Sequence, residues 1–283
     1  MTHRALLAGV ALGRGVPVAV MGALNVSPES FHPGSVHTDG ADLLATALAM
    51  VDAGAVLIDV GARSTAPYGT ATVTDAQERE RLARAIEALA AEVPVPVSAD
   101  TTRPGPARAA LDAGARVIND VSGLRDPEIA ALVRERGAGA ILMAFPGSAS
   151  TGSPPVATVK SLLSEALQRA SDAGISRDQI VLDPGIGFFR HGAVAWDEWD
   201  AAVLAGLDDL EALGRPLCVG VSRKSFLGAI IGRPGTEDRL PASLAAAAVA
   251  VWNGASLIRT HDVAETLDAV RVAERIRRAG ATL

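Results

Sequence analysis

The feature that most restricts how this 283-residue chain can fold is a regular alternation of two kinds of segment. Short apolar runs rich in β-branched residues occupy 16–25, 56–61, 95–101, 117–121, 140–145, 180–184, 217–222 and 256–261. Each is followed by a longer amphipathic stretch of alanine, leucine and charged residues, at 41–53, 75–92, 104–113, 126–136, 156–173, 193–213, 237–253 and 263–279. The first kind reads as buried strand, the second as helix. Eight strand-then-helix repeats in a chain of this length fit an α/β fold, a (β/α)8 TIM barrel forming a single domain over 1–283. An open doubly wound sheet usually has fewer strands, and the turn Gly185-Ile186-Gly187 lacks the third glycine of a dinucleotide fingerprint. No interior linker divides the chain. The Gly/Ser/Pro-rich segment 147–155 falls between a strand and its helix, and two further long loops, 26–40 and 62–74, leave the same rim as candidate lids.

Buried parallel strands should be apolar throughout, yet seven of the eight finish in polar side chains: Asn25, Asp59, Asp100, Asn119 with Asp120, Asp183, Ser222 with Arg223, and Arg259 with His261. Any one of these could simply cap the next helix. Seven at one rim describe the face where barrel loops converge on an active site. The fifth strand, ending Met143-Ala144-Phe145, carries no such group.

The chemistry of the rim suits a polar, nitrogen-rich, anionic substrate. Asp100 and Asp183 would be costly to bury without a donor, and a heterocycle edge with paired N–H groups supplies one. Asn119 both gives and accepts. Arg259 and His261, two apart on a strand, face the same way and would receive phosphate, with Lys224 reaching between the two regions. His3, His32, His37, His191 and His261 show no zinc-ligand spacing. The net charge of −6 argues against broad nucleic-acid binding, and the apolar run 244–252 is too short to span a bilayer. The apolar stretch 5–12 has no small-residue cleavage site and makes a poor signal peptide. The single cysteine, Cys218, allows no intrachain disulfide, so a cytoplasmic location is the expectation.

These segments together resemble the dihydropteroate synthase family of pterin-binding barrels. The family's opening motif, L-N-V-T-P-D-S-F, stands here as Leu24-Asn25-Val26-Ser27-Pro28-Glu29-Ser30-Phe31. In the family's order follow Ser98-Ala99-Asp100-Thr101, Val117-Ile118-Asn119-Asp120-Val121-Ser122-Gly123, Leu182-Asp183-Pro184-Gly185-Ile186-Gly187-Phe188, Val219-Gly220-Val221-Ser222-Arg223-Lys224-Ser225 and Arg259-Thr260-His261-Asp262-Val263. The resemblance implies joining of 4-aminobenzoate to 6-hydroxymethyl-7,8-dihydropterin diphosphate with release of diphosphate, with Mg²⁺ as cofactor, in a homodimer without nucleic-acid or membrane partners. It implies that Asp100, Asn119, Asp183 and Lys224 hold the pterin and that Asn25 helps coordinate the metal. It further implies that Arg259 and His261 bind diphosphate while Phe188, Arg223 and Ser225 line the aminobenzoate site, with Thr65 in the second loop also on the substrate. Asn25, Lys224, Arg259 and His261 are the expected catalytic groups.

The second loop departs from the family's G-E-S-T-R-P. It reads Ala62-Arg63-Ser64-Thr65-Ala66-Pro67, so the family's arginine is Ala66 and a cation stands three residues upstream. Arg63 either reaches the same anion or packs in the barrel end, paired with Asp59. The family's M-H after the fifth strand is Met143-Ala144, and its lysine after Gly-Phe-Gly is Arg190. Alternatives to the synthase are therefore a related pterin enzyme with another aryl acceptor, a pterin methyltransferase, or a noncatalytic pterin-binding paralogue.

Overall fold

The computed structural model describes residues 3–27, 40–63, 73–147 and 154–280. The chain opens with an antiparallel hairpin, β1 (Arg4–Leu7) and β2 (Val10–Gly13). Then strand and helix alternate: β3 (Ala19–Asn25), α1 (Gly40–Asp52), β4 (Leu57–Gly61), α2 (Asp75–Ala90), β5 (Val97–Asp100), α3 (Pro104–Asp112), β6 (Val117–Asp120) and α4 (Pro127–Arg136). The second half continues with β7 (Gly139–Met143), α5 (Pro155–Asp172), β8 (Ile180–Asp183), α6 (Trp196–Ala205), β9 (Leu217–Gly220), α7 (Ser225–Ile231), α8 (Leu240–Trp252), β10 (Ala255–Thr260) and α9 (Val263–Gly280). Strands β3 to β10 close into a barrel in chain order, β10 returning to pair in parallel with β3. This is the expected (β/α)8 architecture.

Side-chain alternation sorts the strands into two environments. Outward residues such as Ile58, Val60, Ala99, Ile118, Leu142 and Val219 pack beneath the helices in the main core. Inward residues form a second apolar layer, Met21, Leu57, Val117, Ile141, Val181, Cys218 and Leu257, at the start of the strands. Two residues further along, the inward positions become polar: Asp59, Asn119, Asp183 and Arg259. The barrel is thus an apolar base carrying a polar well.

Four stretches differ from the sequence reading. The hairpin closes the bottom of the barrel, where Ala5, Leu7 and Leu12 join the inner apolar layer. Gly139 makes room for it, since a Cβ there would sit 2.6 Å from Leu7 Cδ1. The seven-residue α7 adds a short helix after β9, too brief to show a periodic face. The stretch 193–213 is not one helix. It is α6, ended at Gly206, where a Cβ would meet Val156 of α5, followed by a 3-10 segment Leu207–Leu213. Likewise 237–253 begins as a 3-10 turn, Glu237–Arg239, because Pro241 belongs in the first turn of an α-helix.

The buried base predicts a measurable stability term. Leu7→Ala removes a fully buried side chain and is expected to cost roughly 3 kcal/mol, read as a lower urea midpoint. An unchanged midpoint would show the hairpin to be decoration.

Candidate active site

The site is built on one ring of backbone-paired residues. Asn25 pairs with Gly61, Gly61 with Asp100, and Asp100 with Asn119, across β3, β4, β5 and β6. Gly61, with no side chain, lies between the Asn25 and Asp100 side chains, which a Cβ there would meet at 3.5 and 3.9 Å. Below the ring lies Asp59, fully buried, which accepts from Ser98 Oγ at 2.6 Å, Asn119 Nδ2 at 3.1 Å and Arg259 Nε at 2.6 Å. Arg259 extends its Nη2 toward Asp100 Oδ2 at 3.5 Å. Burial works against the Arg259 charge, but Asp59 and Asp100 together raise its pKa above the ordinary arginine value.

Asp100 is the group left incomplete. Its Oδ1 is buried with no hydrogen-bond partner. Burial and the neighbouring Asp59 charge push its pKa up to about 7, against the pull of Arg259 and Arg63. Asp183, at the end of β8, is raised too by burial, although it accepts from the Gly185 N–H at 2.7 Å. Lys224 faces it, its pKa lowered to about 8 by burial and sustained by the Asp183 charge. The Lys224 ammonium also lies over the Phe188 ring, 4.8 Å from its centre. Three carboxylates, an amide, a guanidinium and an amine thus meet in one well.

At the mouth, His261 Nδ1 lies 2.9 Å from Ser222 Oγ and its Nε2 lies 3.5 Å from Asn25 Nδ2. Arg223 adopts φ +53°, a backbone strain of about 1 kcal/mol that turns the chain so that Lys224 enters the well. A bidentate pair with Asp262 at 2.9 and 2.7 Å, bonds to the carbonyls of Thr236 and Glu237, and a Ser243 hydroxyl on its N–H hold it there. The Ser225 hydroxyl accepts from Arg190 Nη2 at 2.6 Å.

The structure corrects one expected pairing. Arg63 does not reach Asp59, whose acceptors go to Arg259, Asn119 and Ser98. Its Nε pairs with Glu78 Oε2 at 3.1 Å and its Nη2 donates to Thr102 Oγ1 at 3.1 Å. Glu78, buried on α2, is shared with Arg103 at 3.1 Å and accepts from Thr101 Oγ1 at 2.6 Å. Of the remaining sequence candidates, Asn25, Asp100, Asn119, Asp183, Lys224, Arg259 and His261 converge, with Phe188 beside Lys224. Thr65, and most of the three long loops, lie outside the described residues. Asp120, by contrast, only ties its loop, accepting from Ser122 and Leu124 N–H at 2.8 Å each. Sequence reasoning noted Asp59 at a strand end without giving it a role in the site. The signal was its parity with Gly61, which places it on the inward face. Glu78 gave no such signal.

Fold and site define a class: a single-domain (β/α)8 barrel with a carboxylate-rich well at the strand ends and Asn25 and His261 at its mouth. The family model described as "Pterin binding enzyme" matches residues 21–261, and the chain belongs to that family. It is 37% identical over 261 residues to dihydropteroate synthase of Escherichia coli, covering 90% of each chain. It is 42% identical to a probable bifunctional folylpolyglutamate synthase/dihydropteroate synthase of Haloferax volcanii, covering 90% of this chain but 30% of that longer protein. Among solved structures, Xanthomonas albilineans dihydropteroate synthase with 4-aminobenzoic acid superposes with a TM-score of 0.86 at 38% identity, covering 98% of this chain and 99% of that one.

The raised Asp100 pKa has a stability consequence. Between its ordinary value of 3.8 and about 7 the folded protein keeps the proton that the unfolded chain releases, so Asp100 makes stability fall as pH rises through that window. Asp100→Asn removes this dependence. Its stability advantage over the unsubstituted protein is expected to grow from pH 4 to pH 7, by roughly 3 kcal/mol, in thermal melts across that range. Parallel pH profiles would show that Asp100 does not titrate there.

Proposed function

We propose that this protein is a dihydropteroate synthase, a transferase that joins 4-aminobenzoate to 6-hydroxymethyl-7,8-dihydropterin diphosphate. The observation that carries the reading is the unpartnered Asp100 Oδ1, a buried acceptor in a well whose other acceptors include Asp183. A pterin edge supplies the N–H donors these groups lack, and Asn119 and Lys224 complete its frame. In the reaction the bond from the pterin methylene carbon to the diphosphate oxygen breaks, leaving a resonance-stabilised pterin cation. The arylamine nitrogen captures that carbon and gives up a proton. No side-chain nucleophile is needed. The chain contributes position and charge: Arg259 and His261 receive the leaving anion, and Lys224 stacked on Phe188 borders the incoming amine.

Mg²⁺ is part of the proposal. The Asn25 carboxamide offers a hard oxygen donor of the kind Mg²⁺ takes, and among the described residues no cluster of three His, Cys, Asp or Glu offers another site. Asn25 would hold it together with substrate diphosphate oxygens, and its chemistry is to neutralise charge on the leaving group.

A homodimer is proposed as well. Phe226 and Leu227 of α7 line an apolar groove with Leu204 of α6 and Val249 of α8, and Ile230 and Trp252 are 61% and 52% exposed beside it. That much bare apolar surface on adjoining helices fits a second copy of the chain. A cytoplasmic location accords with a single buried thiol, Cys218. Sedimentation should give twice the chain mass, and Ile230→Glu should halve it; a monomeric parent protein overturns this part.

A second reading, a changed arylamine preference, is favoured by one observation, that the Ser225 hydroxyl already serves Arg190. Diphosphate release measured with 4-aminobenzoate and with other arylamines decides among the readings. Release only with another amine selects the second, and tight pterin binding without release from any amine overturns both.

Arg63 provides a sharper test. Because Glu78 and Thr102 anchor its guanidinium at the rim, Arg63→Ala is expected to weaken the pterin alcohol and the pterin diphosphate by similar factors, about threefold to tenfold by calorimetry. A selective loss for the diphosphate would assign Arg63 to the anion.

A further inference from the structure

Behind the acceptor side of the well stands a carboxylate that the proposed reaction does not use. Asp200 on α6 is fully buried. Its Oδ1 accepts from the Gly187 N–H at 2.8 Å, and its Oδ2 has no hydrogen-bond partner. The other side of the same glycine is also held, since Arg190 Nε donates to the Gly187 carbonyl at 3.1 Å. Arg190 in turn lies over the Trp196 ring at 4.4 Å, and Phe189 stacks on Trp199 with centroids 4.9 Å apart. Gly187 sits at φ +90°, and a Cβ on it would come within 3.0 Å of Lys224 Cδ and 3.2 Å of Nζ. The lysine therefore rests directly on the peptide that Asp200 anchors.

We propose that Asp200 is a positioning residue for Lys224 and Phe188. It fixes the Gly187 peptide on which the amine lies, and it supplies a second anion behind that amine, in addition to Asp183. The inference rests on the pterin-site reading for its functional meaning, but not for its geometry.

The charged groups around this pair are known. Arg190 and Lys224 favour an ionised Asp200, while burial and Asp197 on the same helix oppose it, leaving its pKa at about 6. Lys224 is supported by Asp183 and Asp200 and opposed by burial, Arg259 and Arg190. At neutral pH Asp200 is thus mostly ionised. Taking away its charge leaves the amine with one anion fewer and easier to deprotonate.

The sequence offers a clean readout, because Lys160 on α5 and Lys224 are its only lysines. Residue-resolved acylation rates against pH, read by mass spectrometry on the full chain, give the pKa of each amine without any ligand. Asp200→Asn keeps an acceptor for Gly187 but no charge, and is expected to lower the Lys224 value by about half a unit while Lys160 stays unchanged. Asp200→Ala also frees the peptide. It is expected to weaken pterin alcohol about tenfold by calorimetry, and Asp200→Asn should recover most of that loss. An unshifted Lys224 titration in Asp200→Asn overturns the electrostatic role. Parent-like pterin binding in Asp200→Ala, or equal losses in the two variants, overturns the positioning role. Parent protein that binds no pterin alcohol counts against the functional reading alone, and the acylation titration still decides the role of Asp200.

Discussion

The Arg259–Asp59 pair determines what the well can recognise. Asp59 is a fully buried charge, and three donors on three other strands are spent on it: Arg259, Asn119 and Ser98. Because Asn119 turns its amide nitrogen down to Asp59, its carbonyl oxygen faces the other way. Because Arg259 gives its shortest bond to Asp59, only a long contact is left for Asp100. Donors are consumed below the floor and acceptors are presented above it. A ligand edge rich in N–H groups is the complement of that arrangement. The pair also carries fold stability: removing Arg259 would leave Asp59 buried and unpaired, at a cost of roughly 3–5 kcal/mol. Loss of activity on substituting Arg259 would therefore mix anion binding with collapse of the floor.

The well is stable only because the rest of the barrel is not like it. Unsatisfied buried acceptors such as Asp100 Oδ1 and Asp200 Oδ2 weigh against folding. The inner apolar layer and the hairpin residues facing it, Ala5, Leu7 and Leu12, bury their side chains almost completely. Stability is concentrated at the start of the strands, and unmet hydrogen-bonding capacity at their ends, where ligand can meet it.

How far this was legible in the sequence depends on the range of each interaction. The eight barrel strands and the longer helices between them showed in periodicity, because each buries a regular face, whereas the seven-residue α7 did not. Asn25, Asp100 and Asn119 were recognisable because they close neighbouring parallel strands, which alone brings them to one level. The hairpin was not, since Arg4–Leu7 and Val10–Gly13 flank a two-residue turn, Ala8 and Gly9, both at positive φ, and merge into one apolar stretch. Pairings set by tertiary structure left no trace. Asp59 meets an arginine 200 residues away, Arg63 meets a glutamate on the next helix, and Arg223 meets an aspartate 39 residues on.

The two halves of the well are held by different means. The floor is made of strand residues whose positions follow from barrel pairing, so substitution there disturbs the ring itself. The wall is made of loops pinned from outside: Gly187 by Asp200 and Arg190, Lys224 by the strained Arg223, and Arg223 by Asp262 and Ser243. Such a wall can change in composition while the floor stays fixed. The main departures from the family's motifs, Arg63, Ala66, Ala144 and Arg190, fall in segments that follow a strand in the sequence rather than in the ring. The physical difference between a paired strand and a pinned loop is thus enough to explain why this chain keeps the family's residues in the ring and varies them in the segments that follow the strands.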